Sequence, residues 1–135
     1  MLYTLNLQTL KRDEWQDITA KVESLILKSG IKEGQVMVYC PHTTAGITIN
    51  ENADPNVVKV VVMRLDEVYP WEHPKYRHME GNTAAHLKAM TLGNSQQVII
   101  HNGELVLGTW QGIFFCEFDG PRHRKINIKV IKDAE

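Results

Sequence analysis

Residues 35–51 read QVMVYCPHTTAGITINE. The run from Gln35 to Cys40 has the apolar, β-branched character of a strand. Pro41 ends its ladder, because proline has no N–H to donate. His42, Thr43 and Thr44 then set an imidazole and two hydroxyls in consecutive positions. Ala45 and Gly46 are small enough for another backbone or a ligand to come close. Alternation resumes through Ile47, Thr48 and Ile49, and the stretch closes on Asn50 and Glu51. Polar groups therefore crowd both ends of a short apolar segment. Thr43 and Thr44 also suit a turn cap, and His42 a solvated loop.

Working outward, Leu2 to Thr9 and Trp15 to Ile18 read as strands, with a charged turn from Lys11 to Glu14. Thr19 is placed to cap a helix running to about Ser29, where Gly30 supplies the stop. Asp54-Pro55 is a helix start, an N-cap followed by proline at the first helical position. The valine content of Val57 to Val68 argues for strand, while its length and cap argue for helix. The reading is a helix with Val57, Val61, Arg64 and Leu65 on one face, ended by Pro70. Residues 71–79 read as irregular. Asn82 is placed to cap a second short helix, Thr83 to Thr91, with Ala84, Leu87 and Leu92 buried and Gly93 as its stop. Gln96 to His101 and Glu104 to Gly108 are strands joined by the hairpin signal Asn102-Gly103, which needs two positive φ angles. Gly112 to Phe118 is an apolar strand, Asp119-Gly120-Pro121 a turn, and Lys125 to Lys132 the last strand. Many strands in hairpins with two or three interleaved helices predict an α+β fold, mainly antiparallel and sandwich-like, in a single compact domain covering residues 1–135.

Composition narrows the function. The chain has 135 residues and a net charge of −1, so no global basic field draws it to nucleic acid. No run approaches the ~18 apolar residues of a membrane span, and the opening residues lack the pattern of a signal peptide. Cys40 and Cys116 are the two cysteines. They read as reduced core thiols of a cytoplasmic protein, with a metal or redox role as the alternative. No GxGxxG or GxxxxGK[ST] loop is present.

Six histidines occur. His42 sits in the polar segment, His78 in YRHMEGN, and His86 in NTAAH beside the small residues Ala84, Ala85 and Ala89. Three neutral imidazoles converging on one point would suit Zn²⁺ or a similar divalent ion, with an open position to polarise an oxygen. The spacing matches no HExxH or two-Cys-two-His pattern, and backbone hydrogen bonds at loop ends would also account for these rings. His73, His101 and His123 read as surface or turn residues. Glu117 interrupts an apolar run. Strand alternation favours a solvent-facing carboxylate there; the alternative is a buried one paired with a cation. Arg77, Arg122 and Arg124 offer planar forks suited to phosphate, or simply a solvated basic hairpin end.

The segments PHTTAGITINENADP, YRHMEGNTAAHLKAMTLGNS and LGTWQGIFFCEFDGPRHRK together resemble the YjbQ-like family, over nearly the whole chain. The resemblance implies a compact α+β domain, usually trimeric, with secondary thiamine-phosphate synthase activity. That reaction joins a hydroxymethylpyrimidine pyrophosphate to a thiazole phosphate and releases pyrophosphate. It further implies His42, His78 and His86 as ligands of a divalent ion, zinc or magnesium. His42, Asn50 and Glu51 become the catalytic set, and Thr43, Thr44, Asn82 and Arg122 the anion-binding set around one pocket. The expected partners are a phosphorylated small molecule and two further copies of the chain. A non-catalytic module for an anionic metabolite and a purely structural oligomer are the competing readings.

Overall fold

The computed structural model describes residues 1–77 and 79–134. In chain order the elements are β1 (Leu2–Gln8), β2 (Glu14–Asp17), α1 (Thr19–Ser29), β3 (Gly34–Tyr39), β4 (Ala45–Glu51), α2 (Pro55–Val68), α3 (Thr83–Leu92), β5 (Ser95–His101), β6 (Glu104–Leu105), β7 (Gln111–Glu117) and β8 (His123–Lys132). They build a five-stranded sheet in the order β1-β8-β3-β5-β6 and a three-stranded sheet in the order β2-β7-β4. The strand pairings are antiparallel. The α+β, two-sheet reading of the sequence therefore holds.

The period of two in each strand decides where the core sits. Val36 and Val38 of β3 and Ile126, Ile128 and Val130 of β8 leave one face of the large sheet. They meet Ile47, Ile113 and Phe115 from the small sheet, and Ile18, Val22 and Ile26 at α1. The opposite face of β7 carries Phe114 and Cys116, which with Phe118 pack against Ala85 and Ala89 of α3 and Val58 and Leu65 of α2. The small sheet is thus covered on both sides, by the large sheet on one and by α2 and α3 on the other.

That sandwiching overturns the reading of Glu117. Strand alternation does turn it away from Phe114 and Cys116, but the face it reaches is the interior, and Glu117 is 0% exposed. Two caps also differ from expectation. The side chain at the start of α1 is Asp17, whose Oδ1 accepts from the Thr19 N–H at 2.9 Å and from its hydroxyl at 2.6 Å. Thr19 is the first helical residue, and its Oγ1 accepts from Ile113 N–H instead. Asn82 stands at the N-cap of α3 without a side-chain capping bond, because its amide is drawn to Asp119. Asp54 does cap α2, accepting from Asn56 N–H at 2.9 Å. On α2, Leu65 of the expected face packs against the small sheet together with Val58; Val57 and Val61 are partly covered, Arg64 is exposed, and no residue of α2 is fully buried. In α3 the buried positions are Ala84, Ala85, Lys88 and Ala89, while Leu87 and Leu92 are partly covered. The Asn102-Gly103 turn adopts the two expected positive φ angles, 52° and 77°. Its returning strand is shorter than expected, two residues of β6.

Candidate functional site

His42 to Thr44 form the link between the two sheets, and α3 lies against β4 beside them. Small residues make that approach possible. A Cβ on Gly46 would sit 2.6 Å from the Gly93 carbonyl oxygen, so only glycine fits there. The same oxygen accepts from Ile47 N–H at 3.1 Å. Cys40 N–H donates to Asn94 O at 2.7 Å, fastening the end of β3 to the chain just beyond α3.

Two adjoining cavities open at this junction. One, of about 390 Å³, is lined by His42, Thr43, Ala45, His86, Ala89 and Met90, with Gly93 and Asn94. The other, of about 340 Å³, is lined by His42, Thr43, Thr44, Asn82, His86 and Arg122, together with Pro41, Glu80, Asp119 and Arg124. His42, Thr43 and His86 belong to both. Two imidazoles from distant parts of the chain thus share one wall.

Each polar side chain is held by identifiable partners. His42 Nε2 lies 3.0 Å from Lys125 O and 3.1 Å from Lys125 N, which anchors the ring to the β8 backbone through one nitrogen. Burial, reinforced by the positive charge of Arg124, pulls the His42 pKa below its ordinary value, so the ring is neutral at pH 7. Arg124 is 5% exposed and Glu117 0%. Arg124 Nε donates to Glu117 Oε1 at 2.8 Å, and Nη2 donates to Thr44 Oγ1 at 2.8 Å and also pairs with Glu117 Oε2. Glu117 further accepts from Thr9 Oγ1 at 2.8 Å and from the Phe118 and Asp119 N–H groups at 3.1 and 3.0 Å. The pair is therefore saturated with hydrogen bonds, which a buried ion pair requires. Arg124 supports the wall rather than offering itself to a ligand.

Arg122 is the half-exposed cation of the polar cavity. Its Nη2 lies 2.9 Å from Asp119 Oδ2 and its Nε donates to Asp119 O at 2.7 Å. Asn82 Nδ2 donates to the same Asp119 Oδ2 at 2.8 Å and reaches Glu80 Oε2 at 3.5 Å. Asp119 thus aligns Arg122 and Asn82. In the sequence Asp119 reads as a turn residue; its position three before Arg122 is the signal of the pairing. Asn82 Oδ1 is buried and makes no hydrogen bond among the described residues.

Of the residues singled out from sequence, His42, His86, Thr43, Thr44, Asn82 and Arg122 meet around these cavities. Asn50 and Glu51 do not. They end β4, pairing with Gly112 and Gln111, and Glu51 lines a separate cavity with Trp15, Asp17 and Asp54. Six residue steps at ~3.3 Å set Glu51 about 20 Å along the strand from Ala45. His78 lies outside the described residues. Among the described residues no group of three His, Cys, Asp or Glu side chains is close enough to hold a metal ion. His73, His101 and His123 are exposed, as expected, and His101 Nδ1 lies 2.6 Å from Glu33. Cys40 and Cys116 are free and buried, and burial pushes both thiols up, Cys116 strongly. Protonated thiols are poor ligands and nucleophiles, so the core reading suits them.

A two-sheet α+β domain with an imidazole-lined cavity beside an aligned arginine is the class these features define. Within that class, residues 3–133 match the family described as UPF0047 protein YjbQ-like, and the chain belongs to it. It is 63% identical over 131 residues to the UPF0047 protein YugU of Bacillus subtilis, covering 97% of this chain and 99% of that one. A UPF0047 protein of Methanocaldococcus jannaschii is 49% identical, with 98% and 96% covered. A crystal structure of an uncharacterized conserved protein of the family from Clostridium acetobutylicum superposes with a TM-score of 0.93 at 53% identity, covering 96% and 99%. A hypothetical protein from Aeropyrum pernix K1 gives the same TM-score at 34% identity, covering 98% and 99%. The names of these relatives carry no activity.

Proposed function

We propose that the protein is a small metal-assisted enzyme acting on a phosphorylated small molecule. The reaction favoured is transfer of a hydroxymethylpyrimidine from its pyrophosphate to a thiazole phosphate, with pyrophosphate released. The supporting observation is the shared wall: His42, Thr43 and His86 line both cavities, and Asn82 and Arg122 join them in the polar one. The barrier in such a transfer is charge developing on the leaving group, and an aligned guanidinium is suited to stabilise it.

The chemistry of the two described imidazoles suits a divalent ion. His42 is neutral, the form a metal needs, and its anchoring to a backbone carbonyl is the usual support of a ligating imidazole. His42 and His86 are the described residues that would hold the ion, and His78 is the third ligand of the proposal. The ion would supply Lewis acidity toward a phosphoryl oxygen. Arg122 binds and orients the anion, Asp119 positions Arg122, and Thr43 offers a hydroxyl to both cavities. Assembly as a homotrimer belongs to the same proposal. It draws support from α2, where Val60, Met63 and Val68 are 52%, 50% and 56% exposed and lie open to a neighbouring copy.

A non-catalytic module for an anionic metabolite is the second reading, favoured by the way Asp119 holds Arg122 ready. Metal content and turnover separate the two. His86→Ala should lower bound zinc with the circular dichroism unchanged, and the wild type should release pyrophosphate from the two phosphorylated substrates. Unchanged zinc in the variant removes the metal site. Pyrophosphate retained without turnover under any divalent ion leaves the binding module.

A further inference from the structure

The two sheets end in the edge strands β1, β6, β2 and β4, and all but β1 are protected. β6 is only two residues long. β2 carries Glu14 and Asp17 at its ends, and charge is a common guard of an edge. On β4, Ile47 N–H donates to Gly93 O at 3.1 Å and Ile47 O accepts from Gln96 Nε2 at 3.2 Å, so that edge is covered. β1 is seven residues, LYTLNLQ, with no charge, no proline and an unbroken register against β8. Met1 and Val130 exchange both backbone bonds, at 2.7 and 2.8 Å, and Thr9 N–H donates to Arg122 O at 2.9 Å. Such pairs alternate along an antiparallel ladder, so Tyr3, Leu5 and Leu7 also bond to β8. The N–H and C=O groups of Leu2, Thr4 and Asn6 therefore point away from the sheet, and among the described residues no strand pairs with them. Gln8 is already engaged, since its carbonyl accepts from Gln16 Nε2 at 3.0 Å.

We propose that this edge is an interface with a second copy of the chain: two β1 strands pair antiparallel about a two-fold axis at Thr4, and the two large sheets become one continuous sheet. The direction of the free groups selects the register. Leu2 faces the second copy's Asn6, Thr4 faces its own counterpart, and each pair exchanges both of its N–H···O bonds. An axis at Leu5 would set Leu2 against Gln8, whose carbonyl is engaged, and an axis at Tyr3 would leave Asn6 without a partner. Cross-strand chemistry agrees with the axis at Thr4. On the outer face Thr4 meets Thr4, two hydroxyls able to bond each other. On the inner face Tyr3 meets Leu5; both pack on the core but are only partly buried, and the added strand covers them. No like charges oppose each other along the paired strands, because β1 carries none. The contact is separate from the three-fold one of the homotrimer. Alone it gives a dimer, and combined with a three-fold ring it still gives an even number of chains.

Native mass spectrometry and light scattering on the purified protein, over a dilution series, test this. The wild type should assemble from an even number of chains. Thr4→Pro removes an outward N–H and suits an edge strand, because the bonds to β8 come from the residues on either side of it. Thr4→Lys keeps the backbone donor and sets two ammonium groups against each other on the axis. Each variant should halve the wild-type mass with an unchanged circular dichroism spectrum. If Thr4→Pro misfolds, Thr4→Lys decides alone. A wild type of three chains overturns the β1 pairing and leaves the homotrimer standing, and a wild type of one chain overturns both. An even-numbered wild type whose mass the folded variants keep also overturns the pairing.

Discussion

Arg124 and Glu117 are an ion pair taken out of water, 5% and 0% exposed, and they stand directly behind the His42 wall. Removing two charges from water costs several kcal/mol each, and here five donors to the carboxylate offset that cost. Arg124→Met would leave the carboxylate buried without its cation, and stability should fall by about 3–5 kcal/mol in urea unfolding. Adding Glu117→Leu to that variant should recover part of the loss, because the orphaned charge is then gone. A double variant no more stable than Arg124→Met would show that the lost packing, not the stranded charge, sets the cost. Glu117 also marks the limit of what a local pattern encodes. Alternation correctly gave its facing, but whether that face meets water depends on a second sheet that no local pattern reveals. His42, His86 and Arg122 were legible because an imidazole or guanidinium beside small residues and turn signals is unusual in a plain scaffold. Asn50 and Glu51 were not placeable, since a strand's length separates them from the residues they adjoin in the motif.

Among the elements, α3 does most to position the site, since it carries Asn82 and His86 and rests on β4 through Gly46 and Gly93. Gly46→Ala would push a methyl to 2.6 Å from a backbone oxygen that has no rotamer by which to yield. The helix must shift outward. Overpacking of this kind typically costs about 1–3 kcal/mol, so the thermal midpoint should drop. Phosphate affinity should fall with it, because the wall bearing His86 moves away from His42. A variant with wild-type midpoint and affinity would show that β4 and α3 do not depend on this contact. The closeness was legible in the Ala45-Gly46 pair, though not its partner, which lies 47 positions on at Gly93. Helix α2 was legible in spite of its valines, because Asp54-Pro55 fixes a start that a strand does not use. Asn82 was misread for the opposite reason. It has the composition of a cap, but a carboxylate brought in by a distant turn accepts from its Nδ2 and holds the side chain where Oδ1 makes no cap bond.

At the scale of the whole molecule, the fold joins segments whose neighbours the sequence does not announce. β8 pairs with β1 and with β3, and the small sheet draws β2, β7 and β4 from three separate regions. Hairpin chemistry identifies β5 and β6, but the other pairings are long-range and leave no local signature. Two polar clusters tie these layers. One is the Arg124–Glu117 pair. The other is Lys88, 0% exposed, held by Asp13 at 2.7 Å and Asp66 at 2.8 Å across the β1–β2 turn, α3 and α2. The titrating groups around them set how the molecule responds to acid. Burial and Arg124 hold His42 below its ordinary pKa of 6.5, so the unfolded chain takes up a proton before the folded one does. The stability tied to neutral His42 is complete above that value and is lost as the pH falls through it toward the lower folded pKa. The hydrogen bond from Lys88 holds Asp66 below its ordinary 3.8, so its contribution persists above that value and disappears at lower pH. Urea midpoints followed from about pH 8 to about pH 3 should therefore decline in an upper stage below pH 6.5, set by His42, and in a lower stage in the carboxylate range. The lower stage is set by Asp66 and by Glu14, which, against its partial burial, hydrogen bonds also hold below its ordinary value. His42→Gln should erase the upper stage and keep the lower. A midpoint that rises as the pH drops below 6.5, or an upper stage that survives His42→Gln, would mean that the His42 ring is not held neutral by its burial beside Arg124.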